Sequence, residues 1–101
     1  MIKHLVFFKL SEEAEGNSKA ENIQIIKERL EALKEVIPVI RKIEIFANHP
    51  QASSENYDIV LYSEFDSLED VKIYAEHPEH VKVAAFIAKV RSGRAAIDYE
   101  F

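Results

Sequence analysis

Cysteine and tryptophan are absent from this chain of 101 residues, and glycine occurs only twice. Without cysteine the protein has no disulfide bond, no thiolate nucleophile and no zinc–sulfur site. Two glycines leave little material for a phosphate-binding loop or a dinucleotide-binding fingerprint, and neither motif is present. The missing residue types therefore exclude several large classes of enzyme and metalloprotein.

Long apolar runs and basic runs are also missing. No stretch approaches the roughly 20 apolar residues that a membrane-spanning helix needs, and the first residues, Met1 to His4, lack the layout of a signal peptide. The net charge of -5 repels phosphate backbones and anionic lipid surfaces. We therefore expect a cytoplasmic protein that binds neither nucleic acid nor membranes.

The residues that are present are typical of a small globular domain. Hydrophobic residues make up 48% of the chain and charged residues 31%, which is the balance of a folded rather than a disordered protein. A chain of this length supports one hydrophobic core and leaves little room for a second. We therefore expect residues 1–101 to form a single domain.

Four segments of extended, apolar character predict four β-strands. They cover residues 2–10, 40–47, 57–65 and 94–101, and residues 11–17 and 91–93 are predicted as a loop and a turn. Both faces of the first and third strands carry large apolar side chains. We therefore expect both faces of the sheet to be covered.

Two helical regions separate these strands. Ser18 and Glu21 have the spacing of a capping box, and Pro38 ends the helix that they begin. Ser67 begins a second helical region, which Pro78 interrupts. Its predicted buried stripe consists of Leu68, Val71, Tyr74 and Ala75, followed by Val81, Ala84, Ala85, Ile87 and Ala88. The resulting order β-α-β-β-α-β predicts an α+β, ferredoxin-like fold, in which helices cover one face of a four-stranded antiparallel sheet.

The uncovered face of this sheet predicts a homodimer. Either Leu5 and Phe7 or Val6 and Phe8 of the first strand must lie on the face that no helix covers, and Val60 raises the same question on the third strand. Monomers rarely expose an apolar patch of this kind. Packing the sheet faces of two copies across a two-fold axis buries it. The alternative is a modest apolar surface that the long loops cover.

Four segments carry a resemblance to a known family. They are Ile2-Lys3-His4-Leu5-Val6, Ser63-Glu64-Phe65, Tyr74-Ala75-Glu76-His77-Pro78-Glu79-His80-Val81 and Asp98-Tyr99. Together they resemble the stress-responsive A/B barrel (Dabb) family over essentially the whole chain, and the His-Pro-x-His stretch is the most specific part. The resemblance implies a ferredoxin-like domain that dimerises through its sheets into a barrel-like body.

The resemblance also implies candidate site residues. Most members of the family have no assigned activity, but one plant member is a cofactor-free polyketide cyclase that performs an aldol condensation. Its catalytic pair is the tyrosine that opens the motif and the histidine that closes it, which correspond to Tyr74 and His80 here. The match extends to His4 and His77, which are candidate substrate-binding residues.

A magnesium site is a further implication of the resemblance, although we expect no organic cofactor. Some family structures hold this ion on backbone carbonyls at the end of the first helix, and the matching positions are Lys34, Ile37 and Ile40. Free carbonyls and the negative end of a helix dipole suit a hard cation. A transition-metal site on His77 and His80 is not expected, because a proline lies between them.

Tyr74 and His80 have the chemistry of a proton-transfer pair. A histidine can remove a proton next to a carbonyl group at neutral pH, and a tyrosine hydroxyl can donate to the oxygen that becomes negative. This pair predicts an enzyme of the cyclase, isomerase or lyase type that acts on an apolar carbonyl compound. An open cavity that reaches both side chains would favour this hypothesis.

Structural roles are the alternative for each of these residues. Tyr74 would be a core residue with a paired hydroxyl, and His4 a core histidine with satisfied hydrogen bonds. His77 would cap the end of one helix, and His80 the start of the next. The corresponding function is a non-catalytic ligand-binding or stress-protective dimer. A third hypothesis is a related dimeric fold family, the antibiotic-biosynthesis-type monooxygenases, which share the architecture; the His-Pro-x-His stretch favours the A/B barrel family over it.

Overall fold

Four strands form one antiparallel sheet in the computed structural model, which describes residues 1–101. The elements are, in chain order, β1 (Ile2–Leu10), β2 (Glu13–Ala14), β3 (Asn17–Ser18), α1 (Lys19–Ala32), a 3₁₀ turn (Leu33–Glu35), β4 (Lys42–Ala47), β5 (Ile59–Phe65), α2 (Leu68–Glu76), α3 (Pro78–Val90) and β6 (Arg91–Glu100). The strand order is β4-β5-β1-β6, and every neighbouring pair is antiparallel. The predicted α+β, ferredoxin-like architecture is confirmed.

The register of the central strand decides which side chains lie under the helices. Val6 pairs with Leu61 of β5, and both are almost fully buried in the core. Phe8 lies two residues further on the same face and is buried as well. Leu5 and Phe7 therefore point to the opposite face, which settles the choice that the sequence left open.

The face without helices is called the open face here. Its apolar residues are Leu5, Phe7, Phe46, Val60, Tyr62, Ala95, Ile97 and Tyr99, which are connected by direct cross-strand pairing. Phe46 and Ile97 are each about half exposed in the single chain. The open face is therefore a largely apolar surface that the protein's own helices leave uncovered, with charged residues such as Lys3, Glu44 and Glu64 at one end of it.

Local capping explains where the first helix begins. The Ser18 hydroxyl accepts a hydrogen bond from the backbone N–H of Glu21 at 3.2 Å, and the Glu21 carboxylate accepts one from the N–H of Ser18 at 2.9 Å. This confirms the predicted capping box. The α-helix ends at Ala32 and tightens into the 3₁₀ turn before Pro38. None of the three α-helices has the length and apolarity that crossing a membrane requires.

The interruption at Pro78 is also confirmed. The Ser67 hydroxyl accepts from the N–H of Asp70 at 3.1 Å and begins α2, which ends at Glu76. His77 is extended, and Pro78 occupies the first turn of α3. A proline there loses no intrahelical hydrogen bond, so the chain restarts a helix in a new direction.

Several predicted boundaries are wrong. Residues 13–14 and 17–18 pair as a small hairpin instead of forming a loop, and residues 91–93 begin β6 directly. The hairpin turn has positive φ angles at Glu15 and Gly16. Tyr57 lies before β5, and its ring packs against Phe7 with centroids 6.0 Å apart.

The predicted buried stripe of the second helical region is partly wrong. Leu68 is 61% exposed and Val81 is 51% exposed, and Ala75 is exposed as well. On α3 the buried residues are Val83, Ile87 and Val90. The break at Pro78 sets a new rotational phase for α3, so a stripe continued from α2 cannot identify its buried face.

Candidate functional site

A cavity of about 190 Å³ lies between the sheet and the helices. Its lining consists of His4, Val6, Phe8, Leu30, Leu61, Tyr74, Ala75, His80, Ala84, Ile87, Arg91 and Arg94. A dry cavity of about 150 Å³ is known to hold benzene, so this one can take a molecule of that size with a small substituent. The cavity reaches both Tyr74 and His80, which is the condition that favours the enzyme hypothesis.

Tyr74 lines this cavity and carries a buried hydroxyl group that has no partner in the chain. The residue is 1% exposed, and its hydroxyl has no hydrogen-bond partner in the chain. Its ring packs on Phe65 and His80 with centroids 5.1 Å and 4.4 Å away. Burial raises the pKa of Tyr74 far above its ordinary value, so the hydroxyl stays protonated. Tyr74 is thus a core residue, as the structural alternative expected, but its hydroxyl is not paired within the chain.

His80 has a defined tautomer. Its Nδ1 lies 3.0 Å from the backbone carbonyl oxygen of Ala75, in the last turn of α2. Because a carbonyl oxygen only accepts, Nδ1 must donate, and the lone pair of the neutral ring is then on Nε2. Burial lowers the pKa of His80 below its ordinary value. The ring is therefore neutral near pH 7 and has a free basic nitrogen.

His77 has a structural role instead of a place in the cavity. Its Nδ1 accepts a hydrogen bond at 3.0 Å from the backbone N–H of Glu79, which caps the start of α3. The capping roles expected from the sequence are thus exchanged: His77 caps the helix that follows it, and His80 binds a carbonyl of the helix before it. His77 does not line the cavity that Tyr74 and His80 share.

His4 lines the cavity and is held by a carboxylate that the sequence reasoning missed. His4 of β1 lies directly opposite Asp98 of β6, and its Nδ1 makes a hydrogen bond to the Asp98 carboxylate. The His4 ring packs edge-on toward Tyr74 with centroids 6.2 Å apart. Asp98 therefore fixes the orientation of His4, as a carboxylate behind a functional histidine commonly does.

Arg94 and Asp98, which were not predicted as site residues, share one feature of the sequence. Arg94 and Asp98 occupy even-numbered positions of β6, opposite Phe8 and His4 on the face that the helices cover. Beyond the irregularity at the start of the strand, the odd-numbered residues Ala95, Ile97 and Tyr99 are apolar and belong to the open face. Polar side chains are uncommon on the covered face of a strand, because burying an unpaired polar group costs free energy. Here Arg94 lines the cavity, and Asp98 binds His4. The apolar periodicity that identifies this strand carries no information on its polar positions, so neither residue was predicted as part of the site.

The predicted magnesium ligands lie apart from this cavity. Lys34 is in the 3₁₀ turn, and Ile37 and Ile40 are in the following loop. The carbonyl oxygen of Ile37 accepts a hydrogen bond from the N–H of Ile40 at 3.2 Å, so one of its lone pairs is already engaged. No group of three or more His, Asp or Glu side chains in the chain is arranged to hold a metal ion. Magnesium binding at these carbonyls stays a prediction.

Protonation of His80 is expected to lower the free energy of unfolding as the pH falls. Burial lowers its pKa in the folded state, so the unfolded chain binds the proton first. The contribution of His80 is then complete above the unfolded pKa near 6.5 and decreases below it. Between about pH 7 and pH 5, the free energy of unfolding from urea titrations should fall less in His80→Gln than in the parent. His49→Gln, at an exposed loop histidine, is the control; equal pH slopes for all three proteins would contradict this expectation.

Comparison with known sequences identifies relatives of the chain. A family model described as the stress responsive A/B barrel domain matches residues 2–101. Two stress-response A/B barrel domain-containing proteins of Arabidopsis thaliana are similar: the first is 23% identical over 103 residues, and the second is 32% identical over 83 residues. These matches cover 98% and 82% of this chain, but only 46% of the first relative and 30% of the second. The chain thus spans less than half the length of either relative.

Solved structures share the fold over nearly the whole chain. A dimeric protein of unknown function with a ferredoxin-like fold from Bacteroides fragilis is 46% identical, with a TM-score of 0.88 over 99% of this chain and 95% of that one. A hydroxynitrile lyase from Passiflora edulis is 16% identical, with a TM-score of 0.78 over 97% of this chain and 90% of that one. At that identity the likeness to the lyase shows the fold alone.

Proposed function

This chain belongs to the stress-responsive A/B barrel domain family, and on this basis we propose that it is an enzyme of the cyclase, isomerase or lyase type. It moves a proton at the carbon next to the carbonyl group of a small apolar compound, without an organic cofactor. The observation that carries this proposal is the buried Tyr74 hydroxyl, which has no partner in the chain and belongs to a ring that packs on the ring of His80. Such an isolated donor is costly to maintain unless a ligand uses it.

In the proposed step, His80 is the base and Tyr74 the donor. The free Nε2 of His80 takes a proton from the carbon next to the carbonyl group, and the electron pair moves onto the carbonyl oxygen. Tyr74 donates its hydrogen bond to that oxygen as it becomes negative. Positioned acid–base groups of this kind contribute about 10²- to 10⁴-fold in rate. His4, which Asp98 orients, contacts the substrate on the other side of the tyrosine.

The protonation states of His80 and Tyr74 support their assignment as base and donor. The base must be neutral and the donor protonated at the same pH, and burial favours both forms, because it lowers the pKa of His80 and raises that of Tyr74. The apolar walls keep the developing negative charge away from water, which strengthens the hydrogen bond from the tyrosine. The Passiflora edulis neighbour is a hydroxynitrile lyase, so this fold is compatible with lyase chemistry.

The proposal includes a homodimer that forms through the open face. The apolar residues of that face remain uncovered in the single chain, although surfaces of this kind usually belong to an interface. The Bacteroides fragilis protein, at 46% identity, is described as dimeric. Packing two sheets face to face would leave the cavity on the outer side of each sheet, beneath its own helices.

Exchange of a carbon-bound proton tests the proposed chemistry without knowledge of the natural substrate. Phenylacetone in D₂O offers an aromatic body, a carbonyl group and acidic neighbouring protons, and NMR follows their replacement by deuterium. We expect the protein to accelerate this exchange about 10²-fold over buffer with equimolar free imidazole. Ala84→Phe, which fills the cavity, should abolish the effect, whereas Ala85→Phe, at an exposed position of the same helix, should preserve it.

The same experiment separates the two leading functions. The walls of the cavity are mostly apolar, which also suits a protein that binds a small ligand without converting it. Binding of phenylacetone that Ala84→Phe blocks, combined with exchange no faster than in the imidazole control, would favour that second function. Exchange that continues at full rate in Ala84→Phe would show that the cavity is not the site.

A further inference from the structure

Two arginines stand at the mouth of the cavity. Arg91 follows α3 directly as the first residue of β6, and Arg94 lies opposite Phe8 on the covered face of the sheet. Both residues line the cavity, yet both are exposed overall. They therefore lie where the cavity meets solvent, while Tyr74 is buried at its inner wall.

Neither of these guanidinium groups has a partner within the chain. The protein has four arginines. Arg41 is held by the Asp66 carboxylate at 2.6 Å and 3.1 Å, and Arg29 stacks on the Phe86 ring at 4.8 Å. Arg91 and Arg94 make no ion pair and no side-chain hydrogen bond, although the chain carries a net charge of -5 and offers many carboxylates. The two unpaired arginines are thus the two that line the cavity.

No carboxylate of the cavity neutralises them. No acidic side chain is among the lining residues, and the nearest one along β6 on the same face, Asp98, is engaged by His4. The positive charge of Arg94 also reaches the inner part of the site. Burial is the main reason for the lowered pKa of His80, and the charge of Arg94 adds to it. The cavity therefore has an excess of positive charge at its mouth.

We propose that the cavity binds its ligand as a carboxylate, with the apolar body inside and the charged group held by Arg91 and Arg94 at the mouth. This inference rests on the proposed function and narrows its substrate class to small apolar carbonyl compounds that carry one carboxylate. The planar guanidinium donates two parallel hydrogen bonds that match a carboxylate. The volume of about 190 Å³ limits the body to about one ring or a short chain.

The charge also sets the orientation of the ligand. A carboxylate held at the mouth places the opposite, apolar end against the inner walls, and a carbonyl group between the two ends faces Tyr74 and His80. A neutral compound of the same shape lacks this anchor and can enter in either direction. Arg91 and Arg94 are therefore positioning residues, and His80 and Tyr74 remain the groups that move the proton.

Benzoate and benzamide provide a matched pair of probes, because they have the same shape and differ in charge. Titration calorimetry at low salt should show benzoate binding about 10-fold tighter to the parent, as expected for hydrogen bonds to a charged group. Arg91→Gln and Arg94→Gln should each reduce the affinity for benzoate and leave that for benzamide unchanged. Lys89→Gln removes the same charge from an exposed position of α3 outside the cavity and should change neither affinity.

Three other results of these binding experiments would overturn the inference. Equal binding of both probes to the parent would overturn the inference and leave the proposed function standing, and this comparison needs no variant to fold. A preference for benzoate that persists in both arginine variants would also overturn the inference, because another part of the protein would then bind the carboxylate. Failure of both probes to bind, together with no acceleration of phenylacetone exchange, would overturn the inference and the proposed function together.

Discussion

Tyr74→Phe is expected to make the protein more stable and less active at the same time. The substitution removes only the buried hydroxyl, which has no hydrogen-bond partner, and keeps the ring that packs on Phe65 and His80. An unsatisfied buried polar group costs about 1–3 kcal/mol, so we expect the free energy of unfolding to rise by about 1 kcal/mol. Loss of the donor to the developing oxyanion should slow phenylacetone exchange about 10²-fold. Urea titration and the NMR exchange assay measure the two effects.

Two variants make this test specific. Tyr57→Phe removes a hydroxyl from a tyrosine that is 41% exposed, and neither stability nor exchange should change. His80→Gln removes the base, so it should slow exchange by a comparable factor without the gain in stability. If Tyr74→Phe is instead less stable than the parent, the hydroxyl has a partner in solution, such as an ordered water, and its isolation no longer supports the proposal.

Ile97→Glu is expected to convert the dimer into a monomer. Ile97 lies on the edge strand β6, pairs with Leu5 on the open face and is 55% exposed in the single chain. A glutamate there is solvated in the free monomer but loses its water in the dimer, where the two-fold axis brings in two copies of the charge. Burying an unpaired charge costs several kcal/mol, so we expect the dissociation constant to rise at least about 10³-fold. Sedimentation velocity at micromolar concentration measures the assembly.

Val81→Glu is the matched control for this prediction. Val81 is as exposed as Ile97, at 51%, and it lies on α3 on the other side of the molecule. This variant should remain dimeric, because the same change is made outside the proposed interface. A monomeric parent would refute the dimer, whereas a dimeric Ile97→Glu would place the interface on another surface. In either case the folded chain and its cavity remain intact, so the result is independent of the exchange assay.

The parts of the fold that local chemistry controls were predictable from the sequence. The capping box of Ser18 and Glu21, the cap of Ser67 and the interruption at Pro78 each involve residues within four positions of one another. Their hydrogen bonds form wherever the segment lies, so the order of helices and strands follows from them and from the apolar periodicity. The candidate pair Tyr74 and His80 came from the resemblance to the family, and the structure places their rings 4.4 Å apart between centroids.

The rest of the site depends on register and packing. Asp98 reaches His4 only because β6 pairs with β1 in one particular alignment, and the same alignment places Arg94 opposite Phe8. A shift by one residue would turn these side chains to the open face. The capping roles of His77 and His80 were exchanged in the prediction because they depend on how α3 turns after the break.

The four strands of the main sheet, the helical regions between them and the apolar excess that predicts a dimer follow from the order of the amino acids. Three-dimensional packing was needed to show that Leu5 and Phe7 lie on the open face, that the Tyr74 hydroxyl is unpaired and that two free arginines line the cavity. This difference arises because the two sets of interactions join residues at different separations along the chain. Caps and breaks are fixed by neighbours along the chain, whereas the cavity is formed by side chains as far apart as His4 and Arg94, which meet only when the sheet and the helices pack.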